Sequence, residues 1–564
     1  AYLANKANGM TLKLKLHALS VAIGLIGWSG AVHAQLGQNV SVDIRALSLG
    51  NAVTADPPGI SAVHYNPAGL SKINGLQTDV QGLLVDFDIR REFRAPAGFN
   101  VFGYSDDPVV CNDQPDDGAK LCSDYKEYGV SKVAGPSLYV PILQKNIDLP
   151  KGLPLAAPLA GVAYRPPGSK ITYGSAIYAP LAAGFYQEEG DPGNFMGEQV
   201  ALERITYLSP AASYQISDNL AVGGSVGISY QAVALKTDLR FPNDLIGVLR
   251  LVDEEICAPF KQEGSLVTDL LLFGICNAEE SVDPFKKFGS LEVALEQSVS
   301  PSYNLGLLWE PNNEFAFGMV YQSPSRMRLK GRYKIENAPG GPELIQGLNS
   351  SVTGKILVAL LGFPSYMPPT ESGHVSLNLE YPAHFQTGIK YKLFPEMQFN
   401  IDLGWTDYGA WENFSFVFDR EVSALKIAKL LSTGVTNNSL ALPLQFRSPW
   451  SWGFGWQYDM TDRLQFRLGY EPRKSAIPEG RRNTLVPINN AQLFGAGIGY
   501  RFDPDTDIDL TAAHLRSRDS IPANTSGLAN RTGVNNLLLN PYAGLDIKTS
   551  TKITILGIAY RTRW

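Results

Sequence analysis

Between Trp450 and Met460 every even position is large and apolar (Trp450, Trp452, Phe454, Trp456, Tyr458, Met460), while the odd positions are Ser451, Gly453, Gly455, Gln457 and Asp459. After Thr461 and Asp462 the alternation resumes, with Leu464, Phe466, Leu468 and Tyr470 set against Arg463, Gln465, Arg467, Gly469 and Glu471. A period of two puts each set on its own face of a strand, so these residues form a hairpin with one face suited to lipid. Similar segments lie near 75–94, 133–143, 170–186, 202–216, 220–240, 298–311, 314–335, 373–394, 397–419, 446–460, 463–476, 490–503, 506–521 and 544–564. They predict an all-β fold, a 14-stranded antiparallel transmembrane β-barrel over residues 75–564, whose even strand number returns the chain to the side on which it entered.

Connection lengths test this independently, because such barrels have short periplasmic turns and long outer loops. Ser217-Asp218-Asn219, Asn312-Asn313, Phe394-Pro395-Glu396, Met460-Thr461-Asp462 and Asp503-Pro504-Asp505 are tight turns at alternate junctions. The intervening connections are long, and the two longest, 241–297 and 336–372, carry helix-like apolar stretches. One junction breaks the rule: residues 144–169 are long and rich in proline where a short turn is expected. The chain ends Ile558-Ala559-Tyr560-Arg561-Thr562-Arg563-Trp564, with an aromatic residue on the apolar face. Rows of exposed Trp and Phe argue against the competing soluble β-sandwich.

At the other end, Met10 to Ala34 has Lys13 and Lys15 ahead of an apolar run from Leu16 to Trp28 and closes on Val32-His33-Ala34. This reads as a secretory signal peptide over residues 1–34, with residues 1–9 as extra sequence before the initiator, and it implies export from a Gram-negative cytoplasm to the outer membrane. No later run of 18 apolar residues appears, so no transmembrane helix is expected.

The content of 54 Gly, 25 Tyr and 25 Phe suits many short strands with aromatic girdles. A net charge of −6 without a basic patch argues against nucleic acid as partner. The four cysteines form two local pairs, Cys111–Cys122 and Cys257–Cys276, whose spacing fits loop disulfides better than zinc; no metal and no cofactor are expected.

Residues 35–74 do not alternate and contain Asp56-Pro57-Pro58-Gly59 and Asn66-Pro67-Ala68-Gly69, which predicts a compact hatch, or plug, inside the lumen. The stretch Ala62-Val63-His64-Tyr65-Asn66-Pro67-Ala68-Gly69-Leu70 resembles the hatch motif of the FadL-like outer-membrane long-chain fatty-acid and hydrophobic-compound transporters. Tyr321 to Gly331, Leu403-Gly404-Trp405-Thr406-Asp407-Tyr408, and Arg467 through Tyr500 are similar to that family in the same order.

The resemblance implies capture of a lipophilic molecule by the two longest outer loops, binding in the barrel, and lateral release beside a kinked third strand. Outer-membrane lipid and lipopolysaccharide would surround a monomer. Pro180, Leu181 and Gly184 are the lateral-gate candidates, since proline lacks the ladder donor and glycine tolerates a kink. Leu249, Leu271, Phe273, Leu357 and Leu361 are candidates for the outer groove, and Lys236, Arg240, Arg326, Arg328 and Arg447 for meeting a carboxylate. The family's second basic position falls near Asn413 to Ser415, which leaves room for uncharged aromatic or aliphatic hydrocarbons.

Other classes compete. Gly223-Gly224-Ser225-Val226-Gly227 satisfies the lipase pattern, yet that pattern needs a strand-to-helix elbow and Ser225 lies within a strand. Catalysis is therefore not expected. A general porin conflicts with the plug, and a secondary role as adhesin or phage receptor is open to any barrel with long loops.

Overall fold

The computed structural model describes residues 42–103, 107–111, 129–140, 145–148, 155–242, 244–258, 272–278, 283–429, 432, 434–485, 489–532 and 540–564. Antiparallel strands form one closed ring, sealed where strand one (Gly75–Arg94) pairs with strand fourteen (Asp546–Arg563) from Gln77↔Arg563 to Arg94↔Asp546. Fourteen wall strands are counted around it, several of them broken into a lower and an upper segment near mid-height. Strands five (Leu220–Leu239), six (Gly289–Trp309), eleven (Leu464–Arg473), twelve (Ala491–Asp503) and thirteen (Thr506–Ile521) are single segments and strand nine is Met397–Thr406 with Asn413–Phe418, whereas strand four is Gln199–Leu208 with Ala211–Ser217, strand seven Phe315–Gln322 with Ser325–Asn337, and strand eight Thr370–Tyr381 with His384–Phe394. The breaks in these last three fall at Pro210, Pro324 and Pro382, which cannot donate to a ladder.

Alternation sets which face is wet by lipid. In strand fourteen Leu556, Ile558 and Tyr560 point outward and are half-exposed, whereas Ile555, Ala559 and Arg561 are buried inward. In strand ten (Ser439–Pro443 with Trp450–Asp459) Ser451, Gly453, Gly455 and Gln457 are the buried set, as the periodicity predicts.

The irregular junction at 144–169 has a structural explanation. Strand two is split: Gly129–Lys132 and Gly135–Val140 lie at the long-loop end, and Leu155–Arg165 spans the lower wall, pairing with strand one from Gly75↔Arg165 to Val85↔Leu155. The short turn then falls at residues 166–170, before strand three (Ile171–Tyr186). The segment predicted at 133–143 is thus only the upper part of strand two. Three prolines and several alanines between 150 and 160 conceal the lower part, and beyond Leu159 its inward positions Gly161 and Ala163 are small where the N-terminal segment packs against them.

Candidate functional site

The inside of the ring is occupied from one end by residues 42–74. Asp43 caps the helix Ile44–Ser48 through Ala46 N (2.8 Å) and also accepts from Ser61 Oγ and Gln81 Nε2. The wall grips this segment all round: Ser225 Oγ and Asn304 Nδ2 donate to Val63 O, Gln322 Nε2 to His64 O, Asn400 Nδ2 to Ala52 O, and Thr511 Oγ1 to Ile44 O. Ser225, the residue of the lipase-like pattern, is one of these ties.

Each residue of the Asn66-Pro67-Ala68-Gly69 motif has its own task. Asn66 Nδ2 donates to Thr54 O (2.8 Å) and Leu307 O (3.0 Å), while its Oδ1 accepts from Ala68 N. Pro67 opens the helical turn Pro67–Lys72, where its missing N–H costs nothing. Ala68 packs on Ala221 and Leu308. A Cβ on Gly69 would stand 2.1 Å from Pro57 Cγ, so only glycine fits under that ring.

At the short-turn end charge replaces packing. Asp56 receives Arg45 and Lys72 (3.2 Å each) and Lys390 (3.6 Å), and Glu310 pairs with the same two lysines. Burial pushes the Asp56 carboxyl up, but Lys390, Lys72 and Arg45 together hold it far below its ordinary value. The sign follows: a depressed folded value stabilises above the ordinary 3.8 and is lost only as pH falls below it. Asp56→Asn is therefore expected to weaken the segment's local stability by about 3 kcal/mol at pH 7. Amide exchange across residues 42–74 measures this, and parent-like protection in the variant would refute the tie. The parent should keep its protection at pH 4.5.

His64 is buried, and burial pushes its imidazole down to about 3, so it is neutral at physiological pH. Its ring lies 5.0 Å from that of Tyr178, which links the N-terminal segment to strand three. There the ladder to strand four slips between Tyr178 and Leu181, across Pro180. On the other side, strand two pairs with strand three at Ala160–Tyr164↔Tyr173–Ile177 and again at Gly135–Pro136↔Phe185–Tyr186. Among the described residues, none of strand two is ladder-paired with Pro180 or with Leu181–Gly184. A Cβ on Gly184 would lie 2.0 Å from Ser137 O, so glycine here admits the backbone of strand two rather than merely permitting a kink.

Above the N-terminal segment the lumen turns apolar. Val293, Leu295, Met327, Leu329, Val375, Leu377 and Phe418 form a buried inward cluster contributed by strands six to nine. Arg204 of strand four stands below it, directly opposite Leu181. Its guanidinium lies 4.0 Å over the Tyr381 ring and donates from Nη2 to Ser302 Oγ (3.1 Å), yet Nε and Nη1 have no partner among the described residues. The opposite end differs: a 720 Å³ cavity at the short turns is lined by Arg45, Asp459, Arg467, Arg501, Asp507 and Arg563, among others.

The basic candidates from sequence do not line this chamber. Lys236 faces outward beside Glu198 (2.5 Å), and Arg326 and Arg328 are exposed on the outer face because their neighbours Met327 and Leu329 take the inward positions. Arg447 is exposed. Arg240 is buried, but Asp107 grips it in bidentate fashion (2.8 and 3.2 Å) between Phe195 and Tyr542. Arg204, which takes the inward place, was missed because Glu203 and Arg204 are adjacent and parity alone does not say which faces in.

Of the outer-groove candidates, Leu357, on the helix Val352–Leu361, packs against the cluster of Ile345 and Leu348 from the helix Gly340–Ser350, and Phe273 O closely approaches Gly354. Leu361 is half-buried on the second helix, and Leu249 is half-buried on the separate helix Asp244–Leu251. Leu271 lies outside the described residues. Cys257 and Cys276 are bonded (S–S 2.05 Å); Cys122 lies outside the described residues, so the Cys111–Cys122 pairing is not described, and neither is the signal segment 1–34.

Similar proteins place this architecture. A 47 kDa outer membrane protein of Pasteurella multocida is 25% identical over 241 residues, 41% of this chain and 49% of that protein. The long-chain fatty acid transport protein of Escherichia coli K12 is 21% identical over 217 residues, 38% and 42% respectively, so the match spans under half of either relative. Among solved structures, a Pseudomonas aeruginosa FadL homologue aligns with a TM-score of 0.62 at 16% identity, covering 94% of this chain and all of that one. The Pseudomonas putida toluene transporter TodX gives 0.56 at 15%, covering 94% and 99%. Residues 23–564 match the family model described as outer membrane protein transport protein (OMPP1/FadL/TodX), and the chain belongs to that family of Gram-negative outer-membrane transport proteins.

Proposed function

We propose that this barrel carries long-chain fatty acids or similar apolar molecules passively across the outer membrane, with residues 42–74 as the hatch and the interrupted wall at strand three as the exit. The observation that carries the reading is the pairing of an apolar chamber with a gap in its wall. From among Val293, Leu329 and Leu377 an apolar molecule leaves sideways where the ladder between strands two and three is interrupted at Pro180–Gly184, whereas straight passage would cross the hatch and a vestibule of arginine and aspartate. Moving apolar surface into that vestibule costs about 25 cal/mol per Å², and the sideways route avoids it.

Entry follows the same logic. Val352, Ile356 and Leu360 stand exposed on one stripe of the outer helix Val352–Leu361, and Leu357 lies half-buried on its other side with Phe273 nearby. An apolar stripe in water favours capture of an oily molecule.

Deleting residues 139–154 joins Leu138 to Leu155 and merges the two registers that strand two holds against strand three, sealing the exit with a continuous ladder. Complementation of a deletion strain tests the reading. The parent is expected to restore growth on oleate and the sealed variant to fail while still assembling; growth of both would remove lateral exit.

A further inference from the structure

We propose that the upper part of strand two is the gate of this exit, with Leu138 as the residue that occupies the gap and Tyr139 and Glu203 as the positioning residues that hold it there. The inference rests on lateral exit and assigns its control.

Parity around strands four and five fixes the geometry. Ser225 donates to the hatch, so it faces inward, and the regular register carries Ser229 and Thr206, and hence Arg204, to the same side. Ala201, Glu203, Ala232 and Ala234 therefore lie on the outside of the barrel. Exterior residues of a barrel wall should be exposed, yet these three alanines are 1%, 0% and 2% exposed, and Glu203 is 4% exposed.

What covers them is Tyr139, which packs in one cluster with Ala201, Ala232 and Ala234. After Pro136 strand two leaves the wall and crosses the outer face as a hairpin, Ser137–Val140 paired with Lys145–Asp148. Tyr139 N–H donates to Glu203 Oε1 (2.8 Å), and Gln199 Nε2 donates to Asp148 Oδ1 (2.5 Å). The small residues form a cradle for one ring, since any larger side chain at 201, 232 or 234 would displace it.

Leu138, the neighbour of Tyr139, turns the other way. Together with Phe87 and Ala182 it packs against the inward cluster containing Leu83 and Val85. Phe87 belongs to strand one beyond the last pairing with Leu155, and Ala182 to the stretch of strand three that pairs with strand four but with no described residue of strand two, so these two flank the gap. One dipeptide thus grips the exterior with Tyr139 and fills the opening with Leu138. Lifting Tyr139 withdraws Leu138, and the free width of the exit depends on the side chain at 138.

The test uses full-length protein in phospholipid vesicles, preloaded with a fluorescent sixteen-carbon carboxylic acid, and follows its transfer into lipid. Leu138→Ala and Tyr139→Ala are expected to speed transfer on the order of tenfold and Leu138→Trp to slow it by as much, the change that a few methylenes make in a confined apolar passage. Equilibrium binding of the same probe in detergent should stay within about twofold of the parent, which a general structural defect would not allow. Should Tyr139→Ala fold poorly, Glu203→Gln, which keeps an acceptor oxygen but loses the charge, gives a milder release. Equal transfer rates across the series, with the sealed deletion 139–154 still blocking transfer, would overturn the gate and leave lateral exit standing. Unimpeded transfer through the sealed deletion would overturn both.

Discussion

Valine at both Gly469 and Gly495 is expected to convert the plugged barrel into an ion-conducting pore. A Cβ at Gly469 would sit 2.0 Å from Gly50 N, and one at Gly495 2.1 Å from Leu47 O, so both meet hatch backbone, which cannot swing aside as a side chain would. The hatch must leave its seat on strands eleven and twelve. It would take with it Asn51 Nδ2 from Glu471 (2.8 Å) and Ile44 O from Thr511. A ring of this size lies between the eight-stranded barrels filled by side chains and the porins of about sixteen strands that conduct, so an unseated hatch leaves a water path. Planar-bilayer recordings should show near-zero steady current for the parent and sustained, porin-like current for the double variant. Gly224→Val is the control: its Cβ faces outward, meeting Leu305 Cδ2 and Asn304 O at an ordinary 3.6 Å, and it should remain silent. A quiet double variant that folds and inserts normally would mean that these hatch contacts do not seal the lumen.

The same glycines show why much of the fold is legible in the sequence. A wall strand that faces lipid on one side and a close-packed plug on the other must alternate large apolar with small or polar residues, and Trp450–Asp459 and Leu464–Glu471 do so at every position. Where a strand leaves the wall, alternation loses its meaning. Strand two obeys neither period around residues 137–154, since Tyr139 answers to three alanines from other strands and Leu138 to strands one and three. That pairing is tertiary, and no local pattern encodes it. Two of the basic candidates failed for a related reason: Arg326 and Arg328 follow the break of strand seven at Pro324, where a slip of one residue exchanges inside for outside, whereas Lys236 lies on the unbroken strand Leu220–Leu239 at the parity opposite to the inward Ser225.

Arg204→Met is expected to leave the barrel as stable as the parent or more so, and to cut uptake of long-chain carboxylates while sparing neutral hydrocarbons. Arg204 is buried, has one hydrogen bond to Ser302 Oγ and lies against Tyr381, but among the described residues it has no carboxylate partner, so desolvation of its charge is scarcely offset. Replacing an unpaired buried ion with an apolar side chain of similar length is commonly neutral or stabilising by ~1–4 kcal/mol. A residue maintained at that cost below an apolar chamber and opposite Leu181 is well placed to receive an anionic headgroup before exit. A charge-assisted hydrogen bond contributes about 1.5–3 kcal/mol, which corresponds to a loss of roughly ten- to hundredfold in affinity for oleate. Toluene has no such group and should bind and pass unchanged. Titration of both probes against the parent and the variant, beside thermal denaturation in detergent, separates the outcomes. Equal loss for oleate and toluene would make Arg204 a packing residue, and undiminished oleate binding would place the headgroup elsewhere. The split between an unharmed fold and a lost acid is the signature that only a ligand-facing cation predicts.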